Sequence, residues 1–144
     1  MPERGILLLA RAAGRDFLLN ASDLIEVLPA SHVTPLPGPL PAIAGVVLYQ
    51  GEFLPVLDWS GLPEGGSNMV WATALAVLKR HLGLPLEILS GALEPDRDAM
   101  RIEPPGGDPW APFLSGMCVL EDSLLPILDA DKLVDWLHHR RTAH

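Results

Sequence analysis

Apolar residues along this chain come in short runs, each closed off by glycine, proline or charged residues, and runs of that length bounded by turn residues read as β-strands. Nine segments fit: Ile6 to Arg11, Phe17 to Asn20, Leu24 to Leu28, Gly45 to Tyr49, Phe53 to Leu57, Ala74 to Lys79, Leu82 to Leu86, Met117 to Leu120 and Leu124 to Leu128. Residues 12–16, Gln50-Gly51-Glu52 and Glu121-Asp122-Ser123 are compact enough to be hairpin turns between them. Two places could be helical. At the C-terminus, Leu133, Val134, Trp136 and Leu137 share one face of a segment that Asp129 can N-cap, and Asp131 in its first turn favours the positive helix end. Trp71 to Leu78 contains good helix formers, but it runs into the turn-like Lys79-Arg80-His81-Leu82-Gly83 and is assigned mainly to strand. Residues 95–113, with Pro95, Pro104, Pro105, Pro109 and Pro112, predict a looped connector and the most mobile part of the chain.

The pattern repeats. Residues 44–62 realign with residues 115–133 at a constant offset of 71 without a gap, pairing Gly45 with Gly116, Leu54 with Leu125, Pro55 with Pro126, Leu57 with Leu128, Asp58 with Asp129 and Leu62 with Leu133. A weaker echo relates Leu9-Ala10-Arg11 and Phe17-Leu18-Leu19 to Val77-Leu78-Lys79 and Leu82-Gly83-Leu84. Two related β lobes are therefore expected. With 144 residues there is room for one compact unit spanning 1–144 or two small lobes sharing a core, so the duplication has to be intertwined.

Composition narrows the function. No apolar run is long enough to cross a bilayer and Met1-Pro2-Glu3-Arg4 has no signal-peptide pattern, so a soluble cytoplasmic protein is expected. Net charge is −8, and residues 85–136 carry eleven acidic against three basic side chains, which disfavours nucleic acid and anionic lipid as partners. His138, His139, Arg140 and Arg141 suit the negative end of the terminal helix. Cys118, the single cysteine, lies among apolar neighbours as a small buried hydrophobe and supports neither a disulfide nor a zinc site.

The repeated residues have structural explanations: glycine for positive φ or close backbone approach, proline where an amide need not join the ladder, and aspartate to cap the adjoining turn. The alternative is a small hydrolase in which Asp58 and Asp129 converge as an acid/base pair. Asp58-Trp59-Ser60-Gly61 and Asp129-Ala130-Asp131 do not carry the Asp-Thr/Ser-Gly pattern of aspartic proteases. Of Trp59, Trp71, Trp110 and Trp136, burial is the first expectation for each, and Trp110, amid Pro109, Ala111 and Pro112, is the strongest candidate of the four for an exposed partner anchor.

Ile43-Ala44-Gly45-Val46-Val47-Leu48-Tyr49-Gln50-Gly51-Glu52-Phe53-Leu54-Pro55-Val56-Leu57-Asp58 resembles the central signature of the CheW-like domain, a Gly-Val-Ile-Asn-Leu-Arg-Gly strand and turn followed by a Pro-Val-apolar-Asp strand. Upstream, Phe17-Leu18-Leu19 followed by Leu24-Ile25-Glu26-Val27 and then Pro35-Leu36-Pro37-Gly38-Pro39 is similar to that family's opening strands and its Leu-Pro approach to the signature. Downstream, residues 82–89, Phe113 to Gly116 and Leu128 to Leu133 resemble its later strands and terminal helix.

The resemblance implies a mainly β fold: two intertwined five-stranded SH3-like barrels and a short C-terminal helix, with no catalytic residue, cofactor or metal. It implies an adaptor that couples the regulatory domain of a CheA-type histidine kinase to the cytoplasmic tip of chemoreceptors, with other CheW-like proteins as further partners. Such adaptors work in cytoplasmic clusters associated with the membrane or nucleoid. By position, Leu24 and Glu26 fall on the kinase-contacting segment, Gly45, Leu48, Gln50 and Gly51 on the strand and turn linked to receptor and partner contacts, and Glu87 in place of the usual strand aspartate. Two departures stand out. Leu48 and Gln50 replace the family's asparagine and arginine, and a neutral glutamine cannot make arginine's charge-assisted contact. Gly61-Leu62-Pro63-Glu64-Gly65-Gly66 replaces a charged helix-like turn. An auxiliary protein that binds one partner and tunes assembly is the alternative these departures raise.

Overall fold

The computed structural model describes residues 5–40, 42–63, 72–101 and 107–142. Trp71, Glu64-Gly65-Gly66 and Pro104-Pro105 lie outside them, as do the side chains of Arg140 and Arg141. In chain order the elements are β1 (Leu7–Ala12), β2 (Arg15–Asn20), β3 (Leu24–Pro29), β4 (Thr34–Leu40), β5 (Ile43–Tyr49), β6 (Glu52–Leu57), β7 (Ala74–Leu78), β8 (Leu82–Leu86), β9 (Ile88–Leu93), β10 (Met100–Arg101), β11 (Leu114–Leu120), β12 (Ser123–Leu128) and α1 (Ala130–Thr142). Single 3₁₀ turns interrupt several connections.

Turn chemistry sets the hairpins. β5 and β6 meet at Tyr49 opposite Glu52, around Gln50 (φ 51°) and Gly51 (φ 82°), and two left-handed central residues are what a type I′ turn requires. β1 and β2 close in the same way around Ala13 and Gly14. β7 and β8 are joined by Lys79-Arg80-His81, with His81 at φ 60°.

The strands form two six-stranded sheets, ordered β10-β11-β12-β2-β1-β9 and β3-β7-β8-β6-β5-β4. The two orders correspond strand for strand. β5 and β6 match β11 and β12, as the repeat predicts, and the hairpin β1–β2 matches β7–β8, as the weaker echo predicts. Each opening hairpin sits in the other repeat's sheet. It is joined there by a parallel pair, Val56 with Gly83 in one sheet and Leu18 with Ile127 in the other. The duplication is thus intertwined. Each sheet holds six strands where the resemblance implied five.

Burial alternates along the strands and defines three packing zones. Val47, Leu54, Val56, Leu75 and Val77 fill the inside of the first lobe, and Leu7, Leu18, Cys118 and Ile127 that of the second. Phe17, Leu19, Leu57, Ala76, Leu78, Leu84, Leu114 and Leu128 point the other way, into a shared core completed by Trp59, Trp110 and Leu133, Val134 and Leu137 of α1. Strands such as β2 and β7 are therefore buried on both faces, which explains their uninterrupted apolar runs. Burying each such leucine or phenylalanine stabilises by roughly 1.5–3 kcal/mol, whereas exposed ion pairs such as Arg80 with Asp131 are screened by solvent and add little. The shared core joins the lobes.

Several expectations are corrected. Thr34–Leu40, crowded with prolines, is a strand, because it lies at a sheet edge where missing amides cost nothing. Ile88–Leu93 and Met100–Arg101 are also edge strands that no apolar pattern marks. The segment at 95–113 is not a featureless loop: it contains β10 and 3₁₀ turns at Arg97–Ala99 and Ala111–Phe113, and Trp110 and Phe113 are fully buried. Ala74–Leu78 is strand, as assigned.

Candidate partner-binding surface

Two-residue closure at Gln50-Gly51 dictates what stands beside what on the β5–β6 hairpin. With Tyr49 opposite Glu52, Leu48 falls opposite Phe53 on the other side of the sheet, and both project into solvent, 66% and 70% exposed. Two large apolar side chains paired across an exposed ladder form a patch, unlike a scattered surface leucine. On the opposite side, Tyr49 packs against the first lobe's inner core, and its hydroxyl reaches β3. Desolvation, followed by the charge of Glu26 and a hydrogen bond donated to that carboxylate, holds the Tyr49 hydroxyl above its ordinary pKa. Gln50 Nε2 donates to the same hydroxyl at 3.3 Å. Tyr49 is thus linked by a hydrogen bond to Gln50 and electrostatically to Glu26, on a strand that is not its neighbour in the sheet order. β3 carries two more exposed apolar residues, Ile25 and Val27, on either side of Glu26.

Of the residues the sequence nominated, Leu48, Gln50 and Gly51 share the β5–β6 hairpin, while Glu26 lies on β3 in register with Val77 of the inner core. Leu24 is half-buried at the head of β3, opposite Leu78 and against the shared core. Gly45 is buried, and a Cβ there would strike the Thr34 carbonyl oxygen, so its role is to let β4 approach β5. Glu87 sits elsewhere, at the crossing from β8 to β9, with Arg11 Nε 4.0 Å from its carboxylate.

The expectation that Trp110 is an exposed anchor is corrected. Its ring stacks on Trp59 with centroids 5.3 Å apart and meets Phe17 edge-on at 5.8 Å. The Arg15 guanidinium covers it, 4.3 Å from the ring centroid, while forming a two-pronged ion pair with Asp108 at 3.0 and 2.9 Å. That pairing, opposed by desolvation and aided by the Trp110 amide, holds the Asp108 carboxyl below the usual aspartate range. Trp110 Nε1 donates to the Pro63 carbonyl and Trp59 Nε1 to that of Pro85, so both indoles satisfy their polar atoms while buried.

Sequence reasoning missed Tyr49 and Phe53. A signal existed for Phe53: once Gln50-Gly51 is taken as a two-residue turn, counting back places Leu48 beside it. No local signal relates Tyr49 to Glu26, because the two are distant in the chain and lie on strands that are not neighbours in the sheet.

Asp58 and Asp129 act as caps. Asp58 Oδ1 accepts from the Ser60 amide and hydroxyl at 3.0 and 2.7 Å, and Asp129 Oδ1 accepts from the Lys132 amide at 3.1 Å. Cys118 is buried, as expected. Among the described residues no charged or polar side chain is buried, no group of three or more His, Cys, Asp or Glu is placed to hold a metal ion, and no helix is long and apolar enough to cross a membrane.

Duplicated, intertwined β lobes, an exposed apolar hairpin and carboxylates that cap turns are what the fold and this surface present. The chain belongs to the CheW-like domain family, which matches residues 7–138. Among solved structures, it is similar to the scaffolding protein TtCheW from Thermoanaerobacter tengcongensis, with a TM-score of 0.75, 18% identity, and coverage of 88% of this chain and 90% of that one. No match is found among curated proteins. Membership in the CheW-like domain family, which is not a family of enzymes, sets aside the hydrolase alternative for Asp58 and Asp129.

Proposed function

We propose that the chain, acting as one domain over residues 1–144, is a cytoplasmic chemosensory adaptor. It couples the regulatory domain of a CheA-type histidine kinase to the cytoplasmic tip of chemoreceptors, in arrays that also contain other CheW-like proteins. The proposed contacts are Leu24, Glu26, Leu48, Gln50, Gly51 and Glu87, with Gly45 shaping the strand that carries them. The observation that carries this proposal is the solvent-exposed Leu48–Phe53 pair on the hairpin matching the family's signature. On the same proposal each lobe closes as an SH3-like barrel. In the first lobe a separate inner core supports closure.

A second reading, an accessory that binds one partner and tunes assembly, is favoured by Gln50, whose amide is engaged by Tyr49 and brings no positive charge. Pull-down of the full chain against the kinase regulatory domain and, separately, the receptor tip decides between them. Capture of both supports coupling, capture of one supports the accessory role, and capture of neither overturns the adaptor class.

A further inference from the structure

Residues 107–113 lie between β10 and β11 and carry two of the largest fully buried side chains of the shared core, Trp110 and Phe113. In the sheet orders β10 takes the place of β4, yet β4 runs for seven residues and β10 for two. Carried back at the offset of 71, residues 107–111 correspond to 36–40, which in the first repeat belong to β4. What is edge strand in one repeat is therefore free of the sheet in the other. Among the described residues, the backbone of 107–112 hydrogen-bonds only within 107–113: the Trp110 amide donates to Asp108 Oδ1 and the Ala111 amide to the Asp108 carbonyl, both at 2.9 Å, and the Phe113 amide donates to the Trp110 carbonyl at 2.8 Å. Its hold on the rest of the molecule is made by side chains. Asp108 is gripped by Arg15, and Trp110 by Arg15, Phe17, Trp59 and the Pro63 carbonyl. All four residues belong to the first half of the chain and the segment belongs to the second. At its far end Phe113 is anchored in its own half, edge-on to Trp136 at 4.8 Å and accepting from the Asp129 amide at 2.7 Å.

We propose that residues 107–112 form a clasp that opens and closes as a unit, latched by Arg15 and Asp108, and that its closure fastens the second half of the chain to the first. Opening breaks no ladder bond in either sheet, so it requires less free energy than unfolding the strands, which are held by ladders as well as by burial. Gly107, at φ 87°, gives one end a conformation that glycine adopts without steric cost, and Phe113 fixes the other. A single 3₁₀ turn is too short to persist once released, so the segment is ordered only while it is gripped. The ion pair sets the grip. Its two prongs are charge-assisted, and with the Asp108 side chain 9% exposed and that of Arg15 29%, water replaces neither partner while the clasp is shut.

Amide hydrogen exchange of the full chain at increasing, sub-denaturing urea tests this. The Ala111 and Phe113 amides, bonded inside the clasp, should exchange with a shallow urea dependence, and the amides of β7, paired on both sides, with the steep dependence of global unfolding. Asp108→Asn should speed both sets by at least about tenfold, the scale of one charge-assisted hydrogen bond, because it weakens the closed form against every open one. Val47→Ala, in the first lobe's inner core and outside the shared core that holds the clasp, should speed β7 alone, and Leu54→Val replaces it if that variant does not fold. Arg15→Gln should act as Asp108→Asn does, and the double variant should do no more than the stronger single one, because the two residues form one latch. Clasp amides that share the urea dependence of β7, or that Val47→Ala speeds equally, would mean that the segment opens only when the chain unfolds, and overturn the proposal. Exchange at Ala111 and Phe113 that Asp108→Asn leaves unchanged overturns it as well.

Discussion

The two repeats end β6 and β12 on the same Leu-Pro-apolar-Leu-Asp sequence, and the aspartate caps the next turn in both, yet the first lobe makes only a single 3₁₀ turn, Trp59–Gly61, and the second a thirteen-residue helix. The cap starts a turn, and the next residues decide whether it propagates. After Asp129 come Ala130, Asp131, Lys132 and Leu133, all compatible with a helix, whereas Gly61 and Pro63 lie just beyond Asp58. Glycine costs about 1 kcal/mol and proline about 3 kcal/mol in a helix interior. Gly61 is also needed as glycine, because a Cβ there would come within 2.6 Å of the Ala42 Cα. The first lobe thus turns sharply and delivers Trp59 to the shared core, where it stacks on Trp110, while the second delivers Leu133, Val134 and Leu137 from a helix face. One core is filled in two ways, and the duplication is symmetric in its sheets but not in its endings.

The largest break in this arrangement is at the tryptophan stack. Trp59→Ala or Trp110→Ala should each cost about 3–5 kcal/mol in chemical denaturation. The double variant should cost less than their sum, because the rings are in contact. A loss below about 1 kcal/mol for either would show that the stack does not hold the lobes together.

Next is the paired position at the offset of 71. Gly61→Ala should destabilise by about 1–3 kcal/mol through overpacking against Ala42, and Lys132→Gly by about 1 kcal/mol through helix propensity. Equal losses of helical circular dichroism in the two variants would contradict the assigned roles.

The caps should differ in readout more than in size. Asp129→Ala should cost about 1 kcal/mol and lower ellipticity at the helix band, while Asp58→Ala should leave ellipticity unchanged, because only a three-residue turn depends on it.

The smallest effects are in pH dependence. Asp108 is depressed in the folded state, so its contribution is complete above the unfolded aspartate value of about 3.9 and is lost as pH falls below that through the folded value. Asp108→Asn should flatten the thermal-melting profile on the acid side. Asp23 is raised, first by desolvation and then by Asp131 and Asp129, with Lys79 opposing. Its contribution is complete below the unfolded value and lost as pH rises through the folded one, so Asp23→Asn should raise the melting temperature slightly at neutral pH and not at about pH 3, below the unfolded value.

Nine strands, the turns at Gln50-Gly51 and Ala13-Gly14, the helix capped by Asp129, and the duplication were legible in the order of residues, because each depends on neighbours a few positions away or on self-similarity. Three of the four edge strands were not: β4 is proline-rich, β9 carries Gly91, and β10 has two residues, so none of these shows the alternation that burial on one face imposes. Of the binding surface, Glu26, Leu48, Gln50 and Gly51 were nominated through resemblance to a family signature, and Trp110 was misjudged because prolines around it suggested exposure. Its burial depends on Arg15, Asp108, Trp59 and Phe17, three of which come from distant segments.

The chain alone determines period, turns and caps, since these arise from local backbone and side-chain chemistry. The exchange of opening hairpins between sheets, the approach of Glu26 to Tyr49 and the closing of the aromatic stack were decided only in three dimensions. Each joins groups whose separation along the chain carries no imprint of their contact, and the energy that selects it is burial of surface from both partners together.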